Sequence, residues 1–477
     1  SDGGRERGGY VKVYNTMTRR KEEFTPLTPG EVRMYVCGVT VYDDSHIGHA
    51  RSAVVFDVIR RYLDFKSYRV TFVKNYTDVD DRIIRRANEA GVPAREISET
   101  YIAAYRRDME ALGVLAPDVE PKATEHIPEM IALIERLVAG GFAYVVDGDV
   151  YFEIRRFPPY GRLSGKNLDE LLAGARVEVD ERKRDPRDFA LWKASKPGEP
   201  AWASPWGAGR PGWHIECSAM SMRYLGESFD IHGGGEDLVF PHHECEIAQA
   251  EASTRKPFAR YWIHNGFVNM GAEKMSKSLG NTLTIQEIVK RHSPDALRLW
   301  MLGTHYRHPI EWSEERANES ARALETLWSP VEKARKYADS VTFGNPTRAL
   351  PTECVPFRER FIAAMDDDFN TPEALGCLFD LGRALNRASA LSIQDFVRGA
   401  SELSSLAQVL GLVEPKPRIA GLSPEATEKI VSLIRQRTEA RLRRDWKRAD
   451  EIRAEIEALG AIVKDTPGGT EWEAKAR

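Results

Sequence analysis

Cys37, Cys217, His242 and Glu246 are residue types that bind a borderline-soft cation such as zinc, and two of them are spaced for it. His242 and Glu246 stand four apart on a predicted helix, so they project from one face and can converge on a single ion. Cys245 is the second choice as a ligand, because the same helix leaves it to one side, and His243 and Glu244 are expected to point elsewhere. Each cysteine alone reads equally well as a small buried hydrophobe, and that is the reading for Cys354 and Cys377. A second group of candidates is His46-Ile47-Gly48-His49, at a strand-to-helix turn. Unpaired N–H groups and the positive dipole end there attract anions, so the two histidines could hold a nucleotide triphosphate, and Gly48 has no Cβ to obstruct it. A third is Lys274-Met275-Ser276-Lys277-Ser278. Lysines among small residues between Gly271 and Gly280 describe a mobile loop that closes a cation over phosphate, or simply solvated charge.

These groups need elements to position them. Apolar patterning predicts strands over Met34–Val41 and Val70–Val73 and amphipathic helices over His49–Phe65 and Asp81–Ala90, the alternation of a parallel α/β sheet. Asn75 to Asp81 follows the second strand, where polar residues either line a ligand crevice or cap a turn; Thr77 is taken as functional. From about Glu125 to Ala208 a helix over Ile127–Val138 gives way to short β-like pieces rich in Pro, Gly and charge, which reads as an insertion splitting the sheet domain. Trp213 to Cys217 returns to a strand-like pattern with a helix after it, and a glycine run, His232 to Asp237, precedes Pro241, placed as for a first helical turn. Helical segments without a sheet pattern follow, starting at Ser293-Pro294, Thr371-Pro372 and Ser423-Pro424.

The chain of 477 residues is 42% apolar and long enough for several subdomains. No apolar run approaches the roughly twenty residues of a membrane span, so no membrane partner is expected. Five cysteines suit a reducing cytoplasm, and Ser1–Gly9, Gly-rich and charged, is left out of the fold reading. The net charge of -4 hides one basic patch: arginines from Arg435 to Arg453, with Arg441 among them, surround Trp446. Such a patch suits phosphate contacts with base stacking, although interleaved acids, Asp450 included, also describe a helix face of alternating charge.

The order of His46-Ile47-Gly48-His49 and Lys274 to Ser278 on a split α/β pattern resembles the class I aminoacyl-tRNA synthetases. Tyr35-Val36-Cys37-Gly38, Gly212 to Cys217 and Phe240 to Glu244 are similar to the cysteinyl-tRNA synthetase family within that class, from about Val11 to Trp472. The resemblance implies a Rossmann-like catalytic domain, a helical bundle and a small anticodon-binding domain. The expected layout is a first catalytic half over 10–124, an insertion over 125–208, a second half over 209–264, the lysine loop and stem-contact region over 265–323, the bundle over 324–418 and the anticodon domain over 419–477. It also implies ATP-dependent activation of L-cysteine and transfer to tRNA(Cys), with one zinc ion per chain and Mg2+ accompanying ATP. His46, His49, Lys274 and Lys277 would be catalytic, His46, Gly48, His49 and Lys277 would hold ATP, and Gly38, Thr77, Trp213 and Asp237 would touch the amino acid and adenylate. Arg441, Trp446 and Asp450 would read the anticodon. One rival is the related ligase that joins cysteine to an amino-sugar in mycothiol synthesis, which lacks a tRNA-binding end. The other is a non-catalytic zinc protein that binds RNA.

Overall fold

The computed structural model describes residues 10–167, 169–170, 180–335, 337, 350–388, 391–414, 422–466 and 469–474. The lead over 1–9 and Gly421, just inside the expected anticodon domain, lie outside the described residues. The chain forms two compact units, the first running through residue 294 and taking in Thr304–Ser313 and Asp366–Phe369.

The first unit opens with an antiparallel pair, β1 (Lys12–Asn15) and β2 (Arg20–Glu23). Strand β3 (Glu31–Val36), helix α1 (Ile47–Phe65) and strand β4 (Arg69–Lys74) then form the βαβ unit that the periodicity predicts. Helix α2 (Asp81–Ala90) is capped at its start by Asp80, which accepts from Arg82 N, and stopped by Gly91 in the left-handed region. Helices α3 (Ala94–Ala111) and α4 (Ile127–Ala139) lead into the insertion, a four-stranded antiparallel sheet of β5 (Ala143–Val146), β6 (Asp149–Phe152), β7 (Phe189–Ala194) and β8 (Gly209–Pro211). The chain returns through α5 (Trp213–Leu225), β9 (Phe229–Gly235), α6 (Glu244–Thr254) and β10 (Ala259–Asn265). The central sheet is parallel, in the order β10-β9-β3-β4. The insertion thus separates β4 from β9 in sequence, while β9 lies directly beside β3 in space. Adjacent strands from the two halves make a topological switch point, and the crevice beyond their C-terminal ends is where open α/β sheets bind ligands.

Two sequence expectations change here. The strand expected over Met34–Val41 ends at Val36, because Gly38 N turns to donate to Asn75 Oδ1 at 2.8 Å, and Thr40 makes only an isolated bridge to Thr77. Trp213 to Cys217 is not strand-like but the start of α5. Ile215 to Ser221 are all buried, so this helix lacks the polar stripe that marks a helical period, and a short continuous buried run resembles an interior strand.

Beyond β10, β11 (Val268–Met270) and β12 (Glu273–Lys274) form a hairpin carrying the lysine segment, followed by α7 (Ile285–Val289). The second unit holds α8 (Pro294–Leu302) from Asp295 on. Strand β13 (Ile310–Glu311), in the first unit, pairs with β11. The second unit continues with α9 (Glu314–Arg335), α10 (Val355–Asp366) through Met365, α11 (Thr371–Arg387) and α12 (Ile393–Val409). Its last part is α13 (Pro424–Leu442), α14 (Trp446–Ala458) and the antiparallel strands β14 (Ala461–Thr466) and β15 (Gly469–Ala474), with a small core of Ile430, Leu433, Ile434, Ile452 and Ile456. That hairpin departs from the purely helical expectation; Pro467-Gly468-Gly469 after an apolar-polar alternation is the sequence signal that could have found it. No helix of the described residues is long and apolar enough to cross a membrane.

Candidate active site and metal centre

Helix α1 begins at the switch point with a cap built from histidines. His46 Nδ1 accepts from Gly48 N at 3.0 Å, while His49 Nδ1 accepts from His46 N at 3.1 Å, so two side chains satisfy two of the free amide donors. The rings lie 3.9 Å apart, and a Cβ on Gly48 would come within 2.8 Å of the His46 ring, so glycine is what lets that ring fold back over the helix end. No acidic residue occupies the first turn, which leaves the dipole's positive end for an external anion. Burial, then Lys277 and Lys274, lower the His46 pKa to about 4; burial, His46 and Lys277 push His49 well down. Both rings are therefore neutral at pH 7. Lys277 stands 3.8 Å from Asp43 Oδ2 and 4.4 Å above the Tyr42 ring, and burial draws its ammonium below the usual value. Lys274 lies 3.8 Å above the Phe267 ring and donates to Asp237 Oδ2 at 3.2 Å. The segment after the lysines is stitched to the histidine turn, Ile47 N donating to Leu283 O and Ile285 N to Ser45 O, each at 3.0 Å. Two motifs more than 220 residues apart thereby share one crevice.

Cys37 follows β3, Cys217 lies on α5, and His242 and Glu246 come from the start of α6 and the turn before it. Their ligand atoms all lie within 4.8 Å of one another, and among the described residues these four could hold a metal ion. His242 Nε2 is buried, 2.9 Å from Glu246 Oε1, yet not aligned for a hydrogen bond. Its Nδ1 is 2.8 Å from His214 Nδ1. Burial holds His214 neutral, so it can accept there from His242 Nδ1; burial lowers the His242 pKa, but the Glu246 charge and Cys217 outweigh it and raise it to about 10, so a metal ion would take the Nε2 position facing the two sulfurs and the carboxylate by displacing a proton. The hydrogen bond from Cys37, and then His242, lower the Cys217 pKa to about 6, while burial and Cys217 raise Cys37. Two sulfurs, one imidazole and one carboxylate are the donor set of zinc rather than of a hard oxygen-seeking cation, so the residues fit that ion.

The helical argument that turned His243 away fails. Within the π-type turn Val239–His243 the residue that leaves helical geometry is Phe240; His243 is itself helical, and three residues before Glu246 it shares the face that His242 shares at four. His243 Nε2 lies 3.3 Å from Cys37 Sγ, and Cys37, His232, His243 and Glu246 form a second overlapping group of potential ligands. His232 Nε2 bonds Glu246 Oε2 at 2.6 Å, and His243 Nδ1 is 2.8 Å from His264 Nε2, so histidines brace the cluster from behind. His214, His232 and His264 are not among the ligand candidates that the sequence offers, where their signal is only their residue type. Glu244 does turn away, accepting from Leu163 N and Ser164 N, and Cys245 packs its thiol 3.3 Å from Tyr160 OH.

The catalytic-domain model "tRNA synthetases class I (C) catalytic domain" matches residues 23–322, a DALR domain model matches 360–414, and "Cysteinyl-tRNA ligase anticodon binding domain" matches 423–472. The chain is 55% identical to "Cysteine--tRNA ligase" of Geobacter metallireducens, covering 98% of this chain and 100% of that one, and 55% identical to the protein of the same name from Geobacter sulfurreducens over the same shares. It belongs to the cysteinyl-tRNA synthetase family. Fold likeness extends to a Mycobacterium tuberculosis methionyl-tRNA synthetase bound by methionyl-adenylate, at TM-score 0.57 and 16% identity, covering 85% of this chain and 94% of that one. A catalytic α/β domain with a parallel sheet, an antiparallel insertion, a helical DALR domain and a C-terminal anticodon domain is thus the architecture of this family member.

The remaining candidates of the synthetase reading fall in distinct settings. Trp213 stacks on His242 with ring centroids 4.1 Å apart and is 37% exposed, so its indole forms a wall beside the metal group. Gly38 has a packing reason of its own, since a Cβ there would overlap the Asn75 carbonyl oxygen. Thr77 extends the pairing beyond β3 and β4, accepting from Val41 N and donating to Val39 O through its backbone. Trp446, 58% exposed, begins α14, with Asp450 exposed one turn on, whereas Arg441 pairs with Asp465 of the terminal hairpin.

Proposed function

We propose that this chain is a cysteine-tRNA ligase that activates L-cysteine with ATP, releases pyrophosphate and transfers the cysteinyl group to tRNA(Cys), choosing cysteine at the group formed by Cys37, Cys217, His242 and Glu246. The observation that carries the reading is that these four donors meet within 4.8 Å of one another beside the adjacent strands β3 and β9, which lead on to the His46 turn and to Asp237, the residue that Lys274 contacts. One zinc ion bound there would supply a Lewis acid that favours a thiolate over serine's hydroxyl. Glu246, the one hard oxygen donor, is the weakest of the four toward such an ion. His46 and His49, neutral at working pH, donate to the ATP phosphates, and Gly48 leaves room for the adenine. Lys277, assisted by Lys274, offsets negative charge that grows on the β- and γ-phosphates as the carboxylate attacks phosphorus, with Mg2+ accompanying ATP. Gly38, Thr77, Trp213 and Asp237 border the amino acid and adenylate, and Arg441, Trp446 and Asp450 contact the anticodon. The working division of the chain is 10–124 and 209–264 for the catalytic halves, 125–208 for the insertion, 265–323 for the lysine loop and stem contacts, 324–418 for the bundle and 419–477 for the anticodon domain. A reducing cytoplasm suits its five unpaired thiols.

The test is spectroscopic and kinetic. With cobalt in place of zinc, cysteine but not serine should produce a new sulfur-to-metal charge-transfer band, alongside cysteine-dependent exchange of pyrophosphate into ATP. If cysteine leaves the spectrum untouched while exchange proceeds, the metal is structural and selection lies elsewhere in the pocket.

A further inference from the structure

Arg51 is fully buried one turn into α1, and it is bound in an unusual way. Its Nη1 donates to Gly266 O and Phe267 O, each at 3.0 Å, and its Nη2 to His305 O at 3.2 Å. All three partners are backbone carbonyls, from two separate segments, and Nε has no partner among the described residues. A guanidinium taken out of water without a carboxylate beside it is costly, and a residue kept solely for stability would more cheaply be apolar. Burial draws its pKa to about 10, with Glu236 as the acid that opposes the shift, so the charge persists at pH 7.

The location of those carbonyls gives the cost a purpose. Gly266 and Phe267 are the link between β10 and β11, and β11 pairs with β12, which ends at Lys274. The Phe267 ring lies 3.8 Å beneath the Lys274 ammonium. Gly266 N also donates to Tyr306 O at 2.8 Å, next to the His305 carbonyl that Arg51 holds, and this second segment leads into β13, the other neighbour of β11. On its own helix, Arg51 lies two residues beyond His49. We infer that Arg51 is a positioning residue for adenylation, fixing the strand that carries the lysine pair relative to the helix end that carries His46 and His49. The two terminal nitrogens of a planar fork serve both segments at once, whereas an ammonium, although it has three donors, gathers them on a single nitrogen. A shift of about 1 Å between the halves is enough to cost roughly a hundredfold in a reaction that depends on alignment.

The inference rests on the ATP-site reading above, and the experiment keeps the two apart. In the full-length protein, Arg51→Lys and Arg51→Met are compared with the parent in cysteine-dependent pyrophosphate exchange, metal content per chain and amide hydrogen exchange. In both variants kcat should fall at least tenfold, with the KM for cysteine within twofold and metal content unchanged. Faster amide exchange should be confined to residues 266–275 and 304–310. The proposal is overturned if kcat in Arg51→Lys stays within threefold of the parent, or if the loss is spread equally over cysteine KM and metal content, as general loosening would produce. A parent without pyrophosphate exchange would instead refute the ATP-site reading itself.

Discussion

Lys277→Ala should remove roughly 10² to 10³ of the adenylation rate while barely changing stability, and the two magnitudes come from different parts of the structure. In the folded protein the ammonium makes one ion pair among the described residues, 3.8 Å from an Asp43 carboxylate that is about one-third exposed, and sits 4.4 Å above Tyr42. A loose pair of this kind contributes about 0–1 kcal/mol, the ring contact about 0.5–1 kcal/mol, and partial burial of the ammonium subtracts from both. The net loss on truncation is therefore about 1 kcal/mol at most, worth about 1–2 degrees in melting temperature for a chain of this size. In the transition state the same ammonium would face charge developing on the phosphates inside a crevice, where losing one preorganised donor costs about 2.7–4 kcal/mol. Steady-state pyrophosphate exchange, with cysteine and ATP varied separately, reads the effect as a fall in kcat at nearly constant cysteine KM, the pattern of an interaction made mainly in the transition state. A kcat within tenfold of the parent, or a defect mainly in cysteine KM, refutes the reasoning.

His46 and His49 also predict a pH dependence. Their folded pKa values lie below the unfolded value of about 6.5, so the unfolded chain binds more protons, and stability present above about pH 6.5 is lost as pH falls toward 4. His46→Asn, which keeps a capping acceptor, should flatten that acid-side loss by about one proton, or about 1.4 kcal/mol per pH unit between the two values; an unchanged slope in melting temperature against pH would count against it. Removing the residues after 421 should leave pyrophosphate exchange intact and weaken transfer to tRNA, because α13, α14 and the terminal hairpin have a core of their own. Normal charging of tRNA by the folded truncated protein would exclude an anticodon role for Arg441, Trp446 and Asp450.

What the sequence alone determined is local. The βαβ alternation from β3 to β4, the strand-to-helix turn at His46 to His49, the glycine bounds of the lysine segment and the four-residue spacing of His242 and Glu246 depend on neighbours in the chain, and hydrophobic period and turn chemistry report neighbours well. Tertiary structure decided the rest. Cys37 and Cys217 stand 180 residues apart and meet only because β9 pairs beside β3 after the insertion, an outcome of sheet order that no local pattern encodes. The start of α5, Trp213 to Cys217, reads as a strand because the run from Ile215 to Ser221 is buried all round, which erases the polar stripe by which a helix announces its period. His243, three residues before Glu246, lies on a face that helical spacing allows, so what needed the tertiary structure was its 3.3 Å approach to Cys37. Arg51, one of three arginines in α1, acquires its meaning only where three carbonyls from distant segments close around it. Local patterns record how each segment satisfies its own backbone, whereas the convergence of buried polar groups depends on which segments the core brings together.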